Sequence, residues 1–594
     1  MARVDRHDAL DLRRRRDAAH GGRARAGLAP APAARAHACA AGGYGSPMSA
    51  RSSASVKKLT LAACILGSGI VLLDGTVVNV ALPTIQRALG GGLAAQQWVV
   101  NGYLLTLGSL ILIGGSLGDL YGERRVFAIG VAGFGATSLL CAFAPSVAFL
   151  VAARALQGMT GALLVPSSLA VIVNTFAQQE RGKAIGSWTA WGAIATALGP
   201  LIAGELLAFA SWRWIFVLNV PLALICLFLI LTVIPPSAPR EPGARSIDIP
   251  GAVLCALGLA GPVFALIEQP RLGWSSPGVI VPLIAGVALL VIFVLYESRA
   301  KDPMLPLRLF RRRNFAAGNI ETFAMYAGLS IVFFFLVLFL QQIGGYTPLQ
   351  SGLATLPVTI VMFLLSSSAG MLADRYGPRL FMGLGPLIAA VGLGLFQTTG
   401  GTPDYVSEVL PPLLLFSLGL SLTVAPLTAA VLAGAEHDAG IASGVNNAVA
   451  RVAGLLGTAS VGAAISAVFV SSLDSHLAGR PLGPAAHNAV AAAKRLPLGK
   501  PSVHGLPPGQ ARAVASAAEA ASVHAFHSGM MISAVLVALG GVVGLVWIRN
   551  PSRKPGDVKA GECPGGQLVG SPNVSEEDSG SRRGQLVGSP QTSS

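Results

Sequence analysis

From Leu59 to Trp547 the chain repeats one pattern, apolar runs of about 20 residues separated by short polar loops, which is the length a helix needs to cross a hydrocarbon core of about 30 Å. Nothing else in the sequence constrains the fold as tightly, because inside lipid each backbone N–H and C=O must be paired within its own helix. The runs lie near 59–80, 97–117, 124–143, 147–173, 183–208, 213–234, 249–268, 275–297, 319–341, 351–373, 379–397, 409–432, 443–470 and 527–548. An even count of about fourteen puts both termini on one side. Composition enters as a check. With 53% hydrophobic and only 12% charged residues among 594, too few polar side chains remain to cover a water-soluble globule, so the chain reads as an all-α, polytopic membrane protein.

The short loops give an orientation. One set carries Arg124, Arg125, Arg181, Lys183, Arg240, Arg245, Arg299, Lys301, Arg308, Arg311, Arg312, Arg313, Arg375 and Arg379, and the alternate set only Arg87, Arg213 and Arg271. Positive loops stay in the cytoplasm, which places both termini there; the expected location is a cell membrane, bacterial inner or plasma membrane. The net charge of +15 is spread over these loops and the N-terminus with no aromatic-interleaved stripe, so no nucleic-acid partner is expected. The six cysteines, Cys39, Cys64, Cys141, Cys226, Cys255 and Cys563, stand singly, without the spacing of a disulfide framework or a metal site.

Residues 1–58 form a basic tail in which no apolar core of a secretory signal precedes Leu59. Two readings of its first part are open, a disordered cytoplasmic tail or a start that belongs at Met48. The loop 471–526 is long, external and Ala-rich, and Pro507-Pro508 followed by Gln510 to His524 suggests an interfacial helix at the outer mouth. Residues 549–594 repeat Gly566-Gln-Leu-Val-Gly-Ser-Pro572 as Gly584 to Pro590 amid Ser, Glu and Asp, a composition expected to be disordered.

One polar turn occurs twice. Gly115-Ser-Leu-Gly-Asp-Leu-Tyr-Gly-Glu-Arg-Arg125 returns as Gly370-Met-Leu-Ala-Asp-Arg-Tyr-Gly-Pro-Arg379, each between apolar runs, which implies two related halves. Gly115, Gly118 and Gly122 are expected where helix ends approach closely, and Asp119, Arg124 and Arg125, with Asp374, Arg375, Gly377 and Arg379 in the second copy, where charge at helix ends stabilises one conformer. The segment resembles the loop between helices 2 and 3 of the major facilitator superfamily, and its repeat the matching loop of the second half.

A chain this apolar with no G-x-x-x-x-G-K-[ST] phosphate loop carries no ATP engine of its own, so its energy must come from an ion gradient or a partner. Coupling to protons needs an ionisable group inside the membrane, where each costs about 2.5 to 3.5 kcal/mol. Asp74 lies roughly 22 Å from the start of its span and Arg154 roughly 10 Å from the start of its own, entering from the other side, so the two reach similar depth. They meet either as a proton-dependent pair or as a fixed ion pair tying two helices together. Glu321 and Arg451 offer a second pair, for gating or for packing, and Gln157 a polar contact in the interior or between helices.

These residues extend the resemblance. Leu73-Asp-Gly-Thr-Val-Val-Asn-Val-Ala-Leu-Pro83 is similar to the helix-1 motif of fourteen-helix drug:proton antiporters, and Arg154-Ala-Leu-Gln157-Gly158 to the helix-4 motif whose arginine is implicated in proton transfer. Gly192-Ala-Ile-Ala-Thr-Ala-Leu-Gly199-Pro200-Leu-Ile-Ala-Gly204 resembles the exporters' helix-5 motif, with Ala203 where the family pattern usually has glycine. Ser211-Trp-Arg-Trp-Ile-Phe216, with Asn219 and Pro221, is similar to the start of helix 6 in the same family.

The resemblance implies a major facilitator fold of two six-helix bundles, 59–234 and 319–548, with two extra central helices and a cytoplasmic loop at 235–318. It implies proton-coupled efflux of small, often apolar or cationic compounds, a drug:H+ antiporter with the proton gradient as energy source and no cofactor. The alternatives are a dedicated exporter of one metabolite such as a siderophore or self-made antibiotic, an importer, or a transport-dead sensor. No nucleophile–base pair or metal cluster marks an enzyme, and a periplasmic partner is undetermined.

Overall fold

The computed structural model describes residues 47–236, 248–433 and 439–550, so expectations for the two tails, apart from 47–58 and 549–550, fall outside the described residues. Within them lie fourteen helices long and apolar enough to cross a membrane. They are α1 (Ser55–Leu89), α2 (Gly92–Tyr121), α3 (Glu123–Ala142), α4 (Val147–Thr175), α5 (Gln179–Phe209), α6 (Trp214–Val233) and α7 (Ile249–Leu272). There follow α8 (Pro277–Glu297), α9 (Arg313–Gln342), α10 (Pro348–Tyr376), α11 (Pro378–Thr398), α12 (Tyr405–Ala433), α13 (Ile441–Leu477) and α14 (Pro508–Trp547).

Local chemistry sets many of the boundaries. Ser146 accepts from the Phe149 N–H at the start of α4, Asp248 from Gly251 at α7 and Ser276 from Gly278 at α8, while Thr347 and Gln350 close a reciprocal capping box at α10. The two repeated turns are built alike. Gly122 has φ 89° and ψ 131°, and Gly377 φ 91° and ψ 147°, a left-handed-side backbone that a side chain would strain, and each N–H bonds the carbonyl four residues back.

The helix that contains α1 begins at Pro47, within the stretch expected as a basic tail. Two expectations need correction. The interfacial helix expected over 510–524 is the first half of α14, a continuous 40-residue helix from Pro508 to Trp547. Its Ala-rich opening buries Val514, Ala517, Ala518, Ala521 and Ala525, so small residues that looked like a surface segment are packing residues. The loop 471–526 shrinks accordingly to the stretch between Leu477 and Pro508, which holds a short helix at Pro484–Ala493.

The helices form two bundles of six. In the first, α2 packs on α4, α3 on α4 and α6; in the second, α11 packs on α12 and α14, α10 on α12, and α9 on α13 and α14. The halves meet along two seams, α2 against α13 and α5 against α10. The extra helices α7 and α8 pair with each other, and α7 lies against both α2 and α13. At the face opposite the arginine-rich loops the seams are closed. Gln97 donates to the Thr458 carbonyl (2.6 Å), the Thr458 hydroxyl to Asn101 (2.9 Å), Gln341 to the Val80 carbonyl (2.9 Å) and Gln342 to Gln86 (3.2 Å), each bond crossing between halves. Glycine permits the α5–α10 contact there, since a Cβ on Gly204 would overlap the Leu349 backbone.

Candidate functional site: a buried charge network behind a central cavity

Asp74 on α1 and Arg154 on α4 are both almost fully buried, and the Arg154 Nη1 meets the Asp74 Oδ2 at 2.5 Å. The depth read from sequence was sufficient to pair them. Burying two charges costs more than their attraction returns unless further hydrogen bonds satisfy them, and here they are satisfied. The other carboxylate oxygen, Oδ1, accepts from Gln157 Nε2 (3.1 Å) and from Asn219 Nδ2 (2.8 Å) on α6. Arg154 also donates to Gln157 Oε1 (2.6 Å) and through Nε to the Val99 carbonyl (3.1 Å), and its guanidinium lies over the Tyr103 ring, 4.1 Å from the centroid. Ser138 on α3 accepts from Gln157 at 2.8 Å and from Asn219 at 3.4 Å. Four helices of one half thus meet in one network, with three donors on a single carboxylate.

Gln157 is therefore a bridging member of the network, holding acid and base with the two ends of one amide. Ser138 carries no sequence signal beyond a hydroxyl in an apolar span. Asn219, met only as part of a helix-6 resemblance, is a ligand of the carboxylate. Gly158, next along α4, has no room for a side chain, since a Cβ there would overlap the Tyr103 carbonyl and the Thr106 hydroxyl on α2.

In front of the network, between the halves, is a cavity of about 470 Å³. Arg154 forms part of its wall while Asp74 stands behind it, 2% exposed. Tyr103 and Trp188 line it from the first half, and Tyr326, Phe333 and Phe334 from α9. A single π turn at Val332–Leu336 brings the last two to that wall, the kind of local widening often found at functional sites.

The remaining residues singled out from sequence divide. In the helix-5 motif Gly192 lines the cavity, and Gly199 and Gly204 allow backbone approach to Thr76 on α1 and Leu349 on α10, while Pro200 packs against Gly352. In the first repeated turn, Gly115 and Gly118 are not close-approach positions, since a Cβ on either would find ordinary contact at 3.8 Å; Gly114, unremarked in the sequence, is the residue pressed on the Ala162 backbone. Gly122 and Gly377 are needed for their backbone angles. The turn arginines have a shared task. Arg124, two residues after Gly122, donates to the Ile230 and Leu231 carbonyls near the end of α6, and Arg379, two after Gly377, donates to the Leu545 carbonyl at the end of α14. Each closes the last helix of its own half where carbonyls lack partners and the helix dipole favours a cation. Asp119, Asp374 and Arg375 are likewise engaged rather than idle, and Arg125 is exposed.

Glu321 and Arg451 do not pair. Arg451 lines the cavity from α13, whereas Glu321 is fully buried between α9 and α14, with its Oε2 3.1 Å from where a Cβ on Gly544 would stand. Neither Glu321 oxygen has a hydrogen-bond partner among the described residues. The two residues lie on different faces of their helices, which depth counting along single spans does not reveal.

The family model for the Major Facilitator Superfamily matches residues 64–458. The chain is 37% identical over 422 residues to the puromycin resistance protein pur8 of Streptomyces alboniger, covering 70% of this chain and 82% of that protein. It is 35% identical over 405 residues to the tetracenomycin C resistance and export protein of Streptomyces glaucescens, covering 68% and 75%. Among solved structures, a bacterial homologue of the human lysosomal transporter Spinster superposes with a TM-score of 0.58 at 16% identity, over 84% of this chain and 99% of that one.

Proposed function

The chain belongs to the major facilitator superfamily, and on that premise we propose that it exports small organic compounds across a cell membrane in exchange for protons, with Asp74 carrying the proton. The support for export comes from relatives named for antibiotic resistance and export. The support for proton exchange is the buried Asp74–Arg154 pair immediately behind the cavity wall. Family membership also supports transport rather than catalysis as the activity.

In this reading the arginine-rich loops and both termini face the cytoplasm, and the face closed by Gln97, Gln341 and Gln342 is the external one. Asp74 is sealed, with donors on both oxygens, in the arrangement seen. A proton delivered to it removes the negative charge that balances Arg154, and an unbalanced buried cation costs several kcal/mol. Arg154 then gains by moving toward the cavity, so proton uptake and a change of cavity shape are the same event. Rocking of one half against the other exposes the cavity to each side in turn.

The deciding measurement is accumulation in energised inverted vesicles, using a panel of antibiotics and dyes. Wild type accumulates some members of the panel when a proton gradient is imposed. Asp74→Asn loses that accumulation yet retains substrate counterflow, because the cavity stays intact while the coupling group is gone. Gradient-driven uptake by correctly inserted Asp74→Asn protein at the wild-type rate would show that the proton rides on another group.

A further inference from the structure

The charge of the cavity lining narrows the substrate class. Among the described residues the charged side chains on its wall are Arg154 and Arg451, both cationic. Arg154 is neutralised by Asp74. Arg451, half-buried on α13, makes no ion pair or hydrogen bond among the described residues, so the cavity presents one uncompensated guanidinium from the second half. From the first half, Trp188 presents a buried indole N–H that also lacks an acceptor among the described residues. No carboxylate faces this space among the described residues: Asp74 lies behind Arg154 with its donors already in place, and Glu321 points away between α9 and α14.

Resting on the reading of the chain as an exporter, we propose that this cavity recognises compounds that carry an acidic group on an aromatic body, with Arg451 binding the acid. A guanidinium presents a planar fork of donors that fits a carboxylate or phenolate, and partial burial strengthens the contact relative to water. The aromatic lining from Tyr103, Trp188, Tyr326, Phe333 and Phe334 receives the apolar remainder. A cationic compound would meet like charge with no carboxylate to offset it, which disfavours the class that multidrug exporters are most readily expected to carry. The volume of about 470 Å³ is within the range that holds a drug-sized molecule.

The test is binding, measured without any gradient on purified protein in lipid nanodiscs, so its result stands whether or not the chain couples export to protons. Three fluorescent probes with fused aromatic rings are compared at slightly alkaline pH: fluorescein as anion, ethidium as cation and Nile red as neutral control. Wild type should bind fluorescein at least about ten-fold more tightly than ethidium, a difference of ~1.4 kcal/mol. Arg451→Gln should weaken fluorescein about ten-fold and leave Nile red unchanged, with Arg451→Lys recovering part of the loss and Arg451→Glu reversing the preference toward ethidium. Tighter binding of ethidium by wild type, absence of fluorescein binding, or an Arg451→Gln loss shared equally by fluorescein and Nile red would each overturn the assignment.

Discussion

The first helices of the two halves each bury a carboxylic acid, and they treat it in opposite ways. Asp74 on α1 is met by Arg154, Gln157 and Asn219, so its charge is compensated on both oxygens. Glu321 on α9 is equally buried and has no partner on either oxygen among the described residues. The same architecture thus holds one acid where a charge is welcome and one where nothing supports a charge. The difference teaches that depth in the membrane alone does not decide whether a buried carboxyl is given partners for its charge. Other helices must bring donors to it, and in the first half α4 and α6 do so while Ser138 on α3 holds two of the donors in place.

The contrast can be broken most sharply by transport. Asp74→Asn should reduce proton-driven accumulation to the vesicle background, while Glu321→Gln should retain it, both assayed at matched levels of inserted protein. Retention by the first variant together with loss by the second would move the coupling role into the second half. A smaller effect, but one that separates the two sites independently of transport, is stability in reversible SDS unfolding. Arg154→Ala leaves the Asp74 carboxylate buried without its cation and should cost about 3–5 kcal/mol, whereas Glu321→Leu removes an unpartnered polar group and should be neutral or stabilising by about 1–3 kcal/mol. Equal destabilisation by both would mean that Glu321 has a partner in the folded protein.

The repeated turns sharpen the comparison further. Ala at Gly122 or Gly377 must adopt positive φ, at a cost of about 1–2 kcal/mol each. Gly377 should be the more sensitive, because a Cβ there also meets the Asn550 side chain, which receives the Arg379 N–H. Thermal unfolding of the two variants side by side checks the order, and a milder Gly377→Ala would show that the α14 end yields. The smallest effect expected is at Trp98. Trp98→Phe removes the indole donor to Glu268 (3.0 Å) while keeping an aromatic ring beside Phe264, and should cost about 1 kcal/mol without altering the preference among substrates.

Much of this was legible in the sequence. Span length and loop charge gave the fourteen helices within a few residues at most ends, and the duplicated turn gave the two halves, because lipid thickness and backbone satisfaction leave few solutions. Rise per residue placed Asp74 and Arg154 at similar depth. What depth cannot give is the azimuth of a side chain, and that is why Glu321 and Arg451 were grouped although they face a helix contact and the cavity respectively. Ser138 was invisible for the same reason, one hydroxyl among many. The opening of α14 was misread because alanines that pack a tight helix contact have the composition of a surface segment.

The helix α7 joins its two neighbours by unlike means. Toward α2 it is fastened, with Glu268 receiving the Trp98 indole N–H and Phe264 tilted against the Trp98 ring at 5.8 Å. Toward α13 it shows only a greased face, Leu259, Val263 and Ile267 against Leu455 and Ala459. Such a joint would act as a sleeve bearing: in any relative movement of the halves the α7–α8 pair would stay with the first, and slip would fall on the α13 side, where the described residues make no directional bond that has to be broken and remade.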